Sequence, residues 1–254
     1  MPGNPAGYPL TNTTVRMKPN IDRLKIVVLT GSGISAESGL PTFRDSNGLW
    51  RNYRWEEVAS PTGWQKNPGL VLEFYNERRA QAWIAKPNAA HNAIAQLEKF
   101  YDVVVITQNV DELHERGGST NVIHVHGNLA FARSSIDPNL RQRIDGNPIS
   151  IGQTCEDGSQ LRPDVVWFGE NVNDYEECQL HIATANKVLV VGTSLVVYPI
   201  ASLLHLAQFD AEKIIVALEI ENIPRGFEFY QGNAASVVPA LVDRWISEAK
   251  GRLV

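Results

Sequence analysis

The stretch KIVVLTGSGISAESG, residues 25–39, decides the fold class of this chain. Its apolar, β-branched start is typical of a buried strand, and it leads directly into the pattern G-x-G-x-x-A at residues 31–36. The first glycine of this pattern permits a tight turn, the second permits close approach to a pyrophosphate, and the small third residue permits close packing. The pattern predicts a dinucleotide-binding turn that opens a helix, although a glycine-rich turn without a ligand is the alternative reading.

Continuous apolar runs predict the strands of a parallel sheet that is covered on both faces. These runs are residues 25–29, 103–106, 188–191 and 214–218, with a weaker candidate at residues 121–125. Helical periodicity at residues 70–83 and 89–100 lies between them. Strand–helix alternation predicts an α/β fold with a doubly wound, Rossmann-like parallel sheet.

Two segments interrupt the alternation and are predicted to form a small inserted lobe. Residues 45–87 are too long for a plain crossover, and residues 128–163 are polar and rich in turn residues. The large lobe is then assigned residues 21–44, 88–127 and 164–250, which gives one domain over residues 21–250. Residues 1–20 are expected to be a flexible tail.

Charge and cysteine content narrow the classes of partner. The net charge of −5 and the absence of a basic run argue against a nucleic acid partner. Cys155 and Cys178 form no paired motif, which argues against a disulfide scaffold and favours a cytoplasmic location. Residues 188–209 carry no charged side chain, but their Gly-Thr-Ser turn and Pro199 predict a strand, a loop and a helix and no membrane span.

Six motifs follow one another along the chain. They are GSGISAESGLPTFRD at residues 31–45, TQNVDELH at residues 107–114, His126-Gly127, VWFGE at residues 166–170, GTS at residues 192–194 and GNA at residues 232–234. In type and order they resemble the motifs of the sirtuin family of NAD-dependent protein deacylases, and the first two are similar to that family's glycine-rich signature and its TQNxDxLH segment. The resemblance spans residues 25–241 and implies that NAD and a peptide meet in a cleft between the lobes.

The resemblance implies a role for each matching residue. His126 would be the general base that activates a ribose hydroxyl, a task suited to an imidazole with a pKa of about 6.5. Asn109 and Asp111 would also be catalytic, whereas the residues alone could equally form a polar turn that caps a helix. The implied cofactor-binding residues are Gly31, Ser32, Gly33, Ser35, Glu37, Phe43, Arg44, Gln108, Asn109, Asp111, Gly192, Thr193, Ser194, Glu219 and Ala234.

The substrate implied by the resemblance is an acyl-lysine protein or peptide. Tyr75 and Arg78 share a helix face at i, i+3 and are similar to the class III pair that binds a carboxylate on the acyl chain. This implies preference for succinyl-, malonyl- or glutaryl-lysine; a solvated helix face is the alternative. The implied substrate-binding residues are Ala59, Tyr75, Arg78, Val166, Phe168, Gly169, Glu170, Val197 and Tyr198.

The implied reaction consumes NAD and yields free lysine, nicotinamide and O-acyl-ADP-ribose. Most sirtuins also carry four zinc-binding cysteines in the small lobe, whereas residues 131–136 contain no cysteine and only Cys155 precedes Leu161. One cysteine cannot supply tetrahedral thiolate ligation, so no structural zinc is expected. The alternatives for the function are an NAD glycohydrolase, a protein ADP-ribosyltransferase and a non-catalytic NAD-sensing module.

Overall fold

The described residues, 24–42 and 53–252 in this computed structural model, form nine strands and seven α-helices. The strands are β1 Lys25–Thr30, β2 Asp102–Thr107, β3 Val122–His124, β4 Gly127–Ser134, β5 Arg141–Arg143, β6 Leu161–Val165, β7 Lys187–Val191, β8 Glu212–Ala217 and β9 Glu228–Gln231. The α-helices are α1 Trp55–Val58, α2 Pro61–Lys66, α3 Pro68–Ile84, α4 Ala89–Leu97, α5 Leu113–Arg116, α6 Tyr175–Ala183 and α7 Ala234–Gly251. The expected tail at residues 1–20 lies outside the described residues.

A parallel sheet of six strands in the order β3-β2-β1-β7-β8-β9 forms the centre of the large lobe in the described part of the chain. The predicted doubly wound α/β fold is therefore confirmed. From β1 the chain first adds β2 and β3 on one side of the sheet and later adds β7, β8 and β9 on the other side. The loops that follow β1 and β7 therefore leave adjacent strand ends in opposite directions. Ligands of open α/β sheets bind in the crevice at such a switch point.

Successive residues of the central strands supply two separate apolar layers. Ile26 and Val28 face a layer covered by α4 and α7, whereas Val27 and Leu29 face a layer covered by α6 and the 3-10 helix Ile200–Leu206. Side chains alternate between the faces of a strand, so a strand covered on both faces must be apolar at every position. This explains why the continuous runs identified the strands, while β9, whose EFYQ sequence is half-exposed, escaped prediction.

The two predicted helices are present with slightly different ends. The helix expected at residues 89–100 is α4, and the predicted Ala90, Ala93, Ile94 and Leu97 are buried on it, together with His91, which was not predicted. The helix expected at residues 70–83 is α3, which begins at Pro68 because the Asn67 side chain caps it by accepting from the Leu70 N–H at 3.1 Å. Within the described residues, no helix has the length and apolar character needed to cross a membrane.

The prediction that the glycine-rich pattern opens a helix is wrong. Residues 31–39 form two single-turn 3-10 helices, Ser32–Ile34 and Ala36–Ser38. The reason is packing: a Cβ on Gly33 would lie 2.7 Å from the Cα of Gly192, and the Gly33 N–H donates to the Gly192 carbonyl oxygen at 2.8 Å. Gly33 therefore permits the loops after β1 and β7 to touch, and no long helix dipole points at the crevice.

The small lobe contains an antiparallel sheet in the order β5-β4-β6, which the sequence did not predict. Its strands have the sequences GNLAFARS, RQR and LRPDV, which contain polar or charged residues even where they are buried, so they show no apolar strand pattern. One apolar cluster joins this sheet to α3 through Leu72, Ala132, Leu161 and the buried thiol-bearing Cys155. Side-chain hydrogen bonds between its loops, such as that from Ser134 Oγ to Asp157 at 2.6 Å, add to this packing.

The contact between the two glycine turns predicts a large loss of stability in Gly192→Ala. Gly192 has φ +65°, and an added Cβ would lie 2.5 Å from the carbonyl carbon of Gly33. Gly158→Ala is the matched control, since Gly158 has φ +78° and open space around its Cβ position. We expect losses of about 3 and about 1 kcal/mol, respectively, in the free energy of unfolding measured in urea. Equal losses would show that the loops can separate without cost.

Candidate active site

Two adjoining cavities occupy the crevice at the switch point of the large sheet. The first, here the histidine cavity, has a volume of about 270 Å³ and lies between the sheet and the small lobe. The second, the glycine cavity, has a volume of about 380 Å³ and lies between the turns after β1, β7 and β8. Ser32, Gln108 and Val197 line both cavities, so one elongated ligand could extend from one into the other.

The structure distributes the expected site residues between these cavities. The histidine cavity is lined by Ser32, Ser35, Ala59, Tyr75, Arg78, Gln108, Asn109, Asp111, His126, Val166, Phe168, Gly169, Glu170, Val197 and Tyr198. The glycine cavity is lined by Ser32, Gly33, Glu37, Gln108, Gly192, Thr193, Ser194, Val197, Glu219 and Ala234. Gly31 lines neither, because it packs against Thr193 beneath the turn. The expected Phe43 and Arg44 lie outside the described residues.

The His126 ring is held in one orientation by the neighbouring chain. Its Nδ1 lies 3.1 Å from the Gln108 carbonyl oxygen, which can only accept, so the proton of a neutral ring resides on Nδ1 and Nε2 is bare. Burial lowers the pKa of His126, while the hydrogen bond to Gln108 raises it by less. The imidazole is consequently neutral near pH 7 and offers a basic nitrogen in the wall of the cavity.

Ser35 connects the glycine-rich turn to the polar residues after β2. Its hydroxyl donates to Asp111 Oδ2 at 3.1 Å and accepts from Asn109 Nδ2 at 3.0 Å. Asp111 also accepts from the Leu113 N–H at 3.1 Å, a local bond at the start of the short helix α5, and it lines the cavity. Burial raises the pKa of Asp111, and the hydrogen bonds from Leu113 and Ser35 offset part of that effect. The same carboxylate therefore holds the chain after β2 in shape and lines the cavity.

Gln108 carries a buried donor that the described residues leave unused. Its Oε1 accepts from Thr193 Oγ1 at 3.4 Å, but its buried Nε2 has no hydrogen-bond partner in the described part of the chain. Such a group is costly unless a ligand or water satisfies it. Since Gln108 lines both cavities, its side-chain amide lies at their junction, although the Nε2 atom itself is shielded from solvent.

Tyr75 and Arg78 lie on the wall of the histidine cavity and are not on a solvated face. Tyr75 is 3% exposed, and burial raises the pKa of its hydroxyl to about 12. Burial also lowers the pKa of Arg78, whose guanidinium is electrostatically coupled to Tyr75 and Asp111. The adjacent Arg79 has a different task, since it is 1% exposed and donates to the Leu129 carbonyl oxygen at 2.7 Å.

Two expected ligand-binding carboxylates are already occupied by protein donors. Glu170 accepts from Arg162 Nη1 at 2.7 Å, from Arg133 Nη2 at 3.3 Å and from the Trp167 N–H at 2.8 Å. Glu37 accepts from the Ala235 N–H at 2.7 Å and so caps α7. Glu170 is thus held on both oxygens, whereas the exposed Glu37 uses only Oε2 in this contact, so both residues line a cavity and also hold protein segments in place.

Several cavity-lining residues were not anticipated from the sequence. They are Leu40, Pro41, Gln81, Ala82, Val110, Leu129, Val165, Trp167, Val172 and Pro199 in the histidine cavity. Gln81 could have been found from its position on α3, three residues after Arg78 on the same face. The others carry no signal of their own, because apolar residues of a cavity wall and of a core have the same sequence pattern.

The described residues contain no group of three or more His, Cys, Asp or Glu side chains arranged to hold a metal ion. Cys155 lies within the apolar cluster of the small lobe, and Cys178 is buried under the large sheet. His124, two residues before His126, is engaged with Glu115 at 2.7 Å and with the Asn109 carbonyl oxygen at 3.1 Å.

Comparison with known proteins gives one consistent family. The Sir2 family model matches residues 31–199. An NAD-dependent protein deacylase of Helicobacter pylori strain J99 is 45% identical over 231 residues, covering 90% of this chain and 98% of the relative. One of Bacteroides thetaiotaomicron is 47% identical over 196 residues, covering 75% and 84%. The crystal structure of a Sir2 homolog–NAD complex has a TM-score of 0.79 and 37% identity, covering 90% of this chain and 91% of that one.

Because Glu170 bridges two arginines, Glu170→Gln should destabilise the protein in a pH-dependent manner. Burial raises the pKa of Glu170, but Arg162, the Trp167 N–H and Arg133 more than offset this and hold it below its ordinary 4.5. The stabilisation is therefore present above pH 4.5 and declines as the pH falls below it. We expect the variant to lose about 2 kcal/mol of unfolding free energy at pH 7, with the difference narrowing below pH 4.5.

Glu177→Gln is the control for this measurement, because the Glu177 side chain is 58% exposed and lies 3.4 Å from His181 on the same helix. Its unfolding free energy should stay within about 0.5 kcal/mol of the parent. A pH-independent difference for Glu170→Gln would contradict the charge-based account.

Proposed function

This chain belongs to the Sir2 family, and on that premise we propose that it is an NAD-dependent protein-lysine deacylase with a preference for short acyl groups that end in a carboxylate. One observation carries the proposal. The oriented imidazole of His126 lies in the same cavity as Asn109, Asp111 and the Tyr75–Arg78 pair, next to a second cavity lined by the glycine turns. The relatives named as NAD-dependent protein deacylases support the coarser activity.

The residues at the junction of the cavities suit NAD. The glycine cavity offers the Gly33 and Gly192–Ser194 turns to phosphates and Glu219 to the hydroxyls of the adenosine ribose. The side-chain amide of Gln108 lies where the two cavities join, and a rotation of this amide would present a donor to the second ribose. Asn109 and Asp111 then offer an amide and a carboxylate to the nicotinamide carboxamide.

Bound NAD supplies an electrophilic ribose carbon whose leaving group is nicotinamide. The residues of this chain would orient the cofactor at that carbon and remove a proton from a neighbouring ribose hydroxyl. His126 Nε2, bare because Nδ1 donates to the Gln108 carbonyl oxygen, would accept the proton of a ribose hydroxyl when that hydroxyl attacks the acyl group. Ser35 holds the Asn109 amide and the Asp111 carboxylate in register. Apolar walls such as Leu129 and Val165 limit access of water.

A peptide substrate fits the mouth of the histidine cavity. The backbone N–H of Phe168 donates to the Ala59 carbonyl oxygen at 3.0 Å, so the loop of residues 168–170 is tied to the small lobe. Val197 and Tyr198 approach the mouth from the large lobe, and Tyr198 is 72% exposed. An extended peptide lying between these segments would place its acyl-lysine in the cavity.

The acyl preference rests on the charge inside the cavity. A half-buried guanidinium together with a phenol hydroxyl is a poor environment for an acetyl group but a good one for a carboxylate. Ala59, which is 3% exposed, leaves room beside Tyr75. Succinyl-, malonyl- and glutaryl-lysine meet these requirements.

The alternative functions leave some of the residues that line the two cavities without a role. An NAD glycohydrolase or an NAD-sensing module needs neither an arginine in the histidine cavity nor a cavity mouth lined by Phe168 and Tyr198. A protein ADP-ribosyltransferase has no need of a carboxylate-binding pair such as Tyr75 and Arg78 in this cavity. We therefore rank deacylation first.

One incubation tests the activity and its alternatives. The parent protein, NAD and a succinyl-lysine peptide should yield free peptide and nicotinamide in equal amounts by mass spectrometry, and His126→Tyr should lower this rate at least about 100-fold. His205→Tyr, at an exposed histidine outside both cavities, should retain the rate. Nicotinamide without free peptide would indicate a glycohydrolase, a peptide heavier by ADP-ribose a transferase, and intact NAD a binding module.

The acyl preference is tested at Arg78. Arg78→Met should lower kcat/KM for succinyl-lysine peptide about 10- to 100-fold, because charge-assisted hydrogen bonds to the carboxylate are lost. The same variant should retain or improve deacetylation, which serves as the internal control for folding and NAD binding. Arg78→Lys keeps the positive charge but not the two-pronged geometry of the guanidinium, so its kcat/KM for succinyl-lysine peptide should lie between those of the parent and Arg78→Met. Unchanged desuccinylation in Arg78→Met would refute the assignment.

A further inference from the structure

Two fully buried histidines lie beneath the cleft and take no part in the chemistry proposed above. His91 of α4 is 0% exposed and His114 of α5 is 1% exposed. Their ring centroids are 4.9 Å apart with an interplanar angle of 65°. Buried polar rings are retained only where hydrogen bonds compensate for lost water, so their partners are informative.

The hydrogen bonds around the pair assign both tautomers. Thr30 Oγ1 donates its one proton to Thr107 Oγ1 at 2.8 Å, so it must accept from His114 Nε2 at 3.0 Å. The Asn88 N–H donates to His91 Nδ1 at 3.3 Å, so that nitrogen is bare. Burial lowers the pKa of His91 to about 4 and that of His114 well below its ordinary value, so both rings are neutral near pH 7. Each ring thus carries its proton on Nε2.

These tautomers leave one unused donor and one unused acceptor in the same place. His91 Nε2–H and the bare His114 Nδ1 are both buried and have no hydrogen-bond partner in the described part of the chain. A ring separation of 4.9 Å permits the two nitrogens to approach within hydrogen-bond distance after a small rotation. The two groups are complementary, because His91 Nε2–H can donate and His114 Nδ1 can accept.

Both outer ends of this pair reach the residues of the cleft. The Asn88 side chain donates to the Ile34 carbonyl oxygen at 2.7 Å and to Ser38 Oγ at 3.1 Å, which ties α4 to the glycine-rich turn. At the other end, Thr107 Oγ1 accepts from the Asn109 N–H at 3.0 Å. The imidazoles therefore lie between the two loops whose side chains, Ser35 and Asn109, meet in the histidine cavity.

We propose that His91 Nε2–H donates to His114 Nδ1 and thereby closes a hydrogen-bonded relay from Asn88 to the backbone of Asn109. In this relay His114 is a positioning residue. It holds the Thr30 and Thr107 hydroxyls in place. Because Thr107 binds the Asn109 N–H, these hydroxyls set the position of Asn109 relative to the nicotinamide end of the cofactor. This functional consequence rests on the proposed function, whereas the relay itself does not.

Imidazole NMR of the full-length protein labelled with ¹⁵N-histidine tests the relay directly, without any activity. Signals are assigned with His91→Leu and His114→Leu. Both rings should be neutral Nε2–H tautomers at pH 7, with a scalar coupling across the hydrogen bond between His91 Nε2 and His114 Nδ1. A proton on Nδ1 of either ring, a charged ring at pH 7, or the absence of the coupling would overturn the relay.

Kinetics of nicotinamide release test the positioning role. His114→Leu should lower kcat at least about tenfold while the KM for acyl peptide stays within about twofold, because misplacement of Asn109 affects the reacting end only. His114→Gln, whose amide nitrogen can donate to Thr30 and whose oxygen can accept from His91, should recover most of kcat. His205→Leu, at an exposed histidine, is the matched control and should match the parent.

Unfolding midpoints of the two His114 variants are measured alongside, so that general loss of structure is separated from loss of positioning. Equal kcat for His114→Leu and the parent, or a Gln variant no better than Leu at equal stability, would refute the positioning role. Parent protein that does not consume NAD would refute the proposed function instead, and the NMR result would still decide the relay.

Discussion

Gly33 and Gly192 meet backbone to backbone at the carboxyl ends of β1 and β7, and both cavities depend on that contact. The Gly33 N–H donates to the Gly192 carbonyl oxygen at 2.8 Å, and the Gly31 N–H donates to that of Val191 at 3.0 Å. Any side chain at Gly33 or Gly192 would separate the two turns. With the turns in contact, the crevice at the switch point has a continuous floor, along which Ser32 and Gln108 are shared by both cavities.

Buried polar groups of the cleft obtain their orientation from partners on other segments. His126 is oriented by the Gln108 carbonyl oxygen, Asn109 and Asp111 by Ser35, and the 168–170 loop by the Glu170 carboxylate between Arg162 and Arg133. A desolvated polar side chain without a partner would be costly and disordered in position. The site is therefore arranged before any ligand arrives, which lowers the cost of binding.

Neighbouring residues of similar chemistry have separate tasks in this protein. Arg78 faces the histidine cavity, while Arg79 is buried and donates to Leu129 on the small sheet. Likewise Glu37 and Glu170, each inside a family-like motif, bind protein donors with their carboxylates. Motif membership identified the right loops in these cases, but contacts distinguish a side chain that holds a loop in shape from one that meets a ligand.

The sequence by itself determined the α/β class, the strands of the large sheet except β9, the two long helices before β2 and the family. It could do so because a strand covered on both faces and a helix with one buried face each impose a short-range period on the chain. Only the tertiary structure decided that the glycine-rich turn forms 3-10 helices, that residues 127–165 contain an antiparallel sheet, and that Gln108 joins two cavities. These features depend on contacts between residues far apart in the chain, such as Gly33 with Gly192 and His91 with His114, and no local pattern records such a contact.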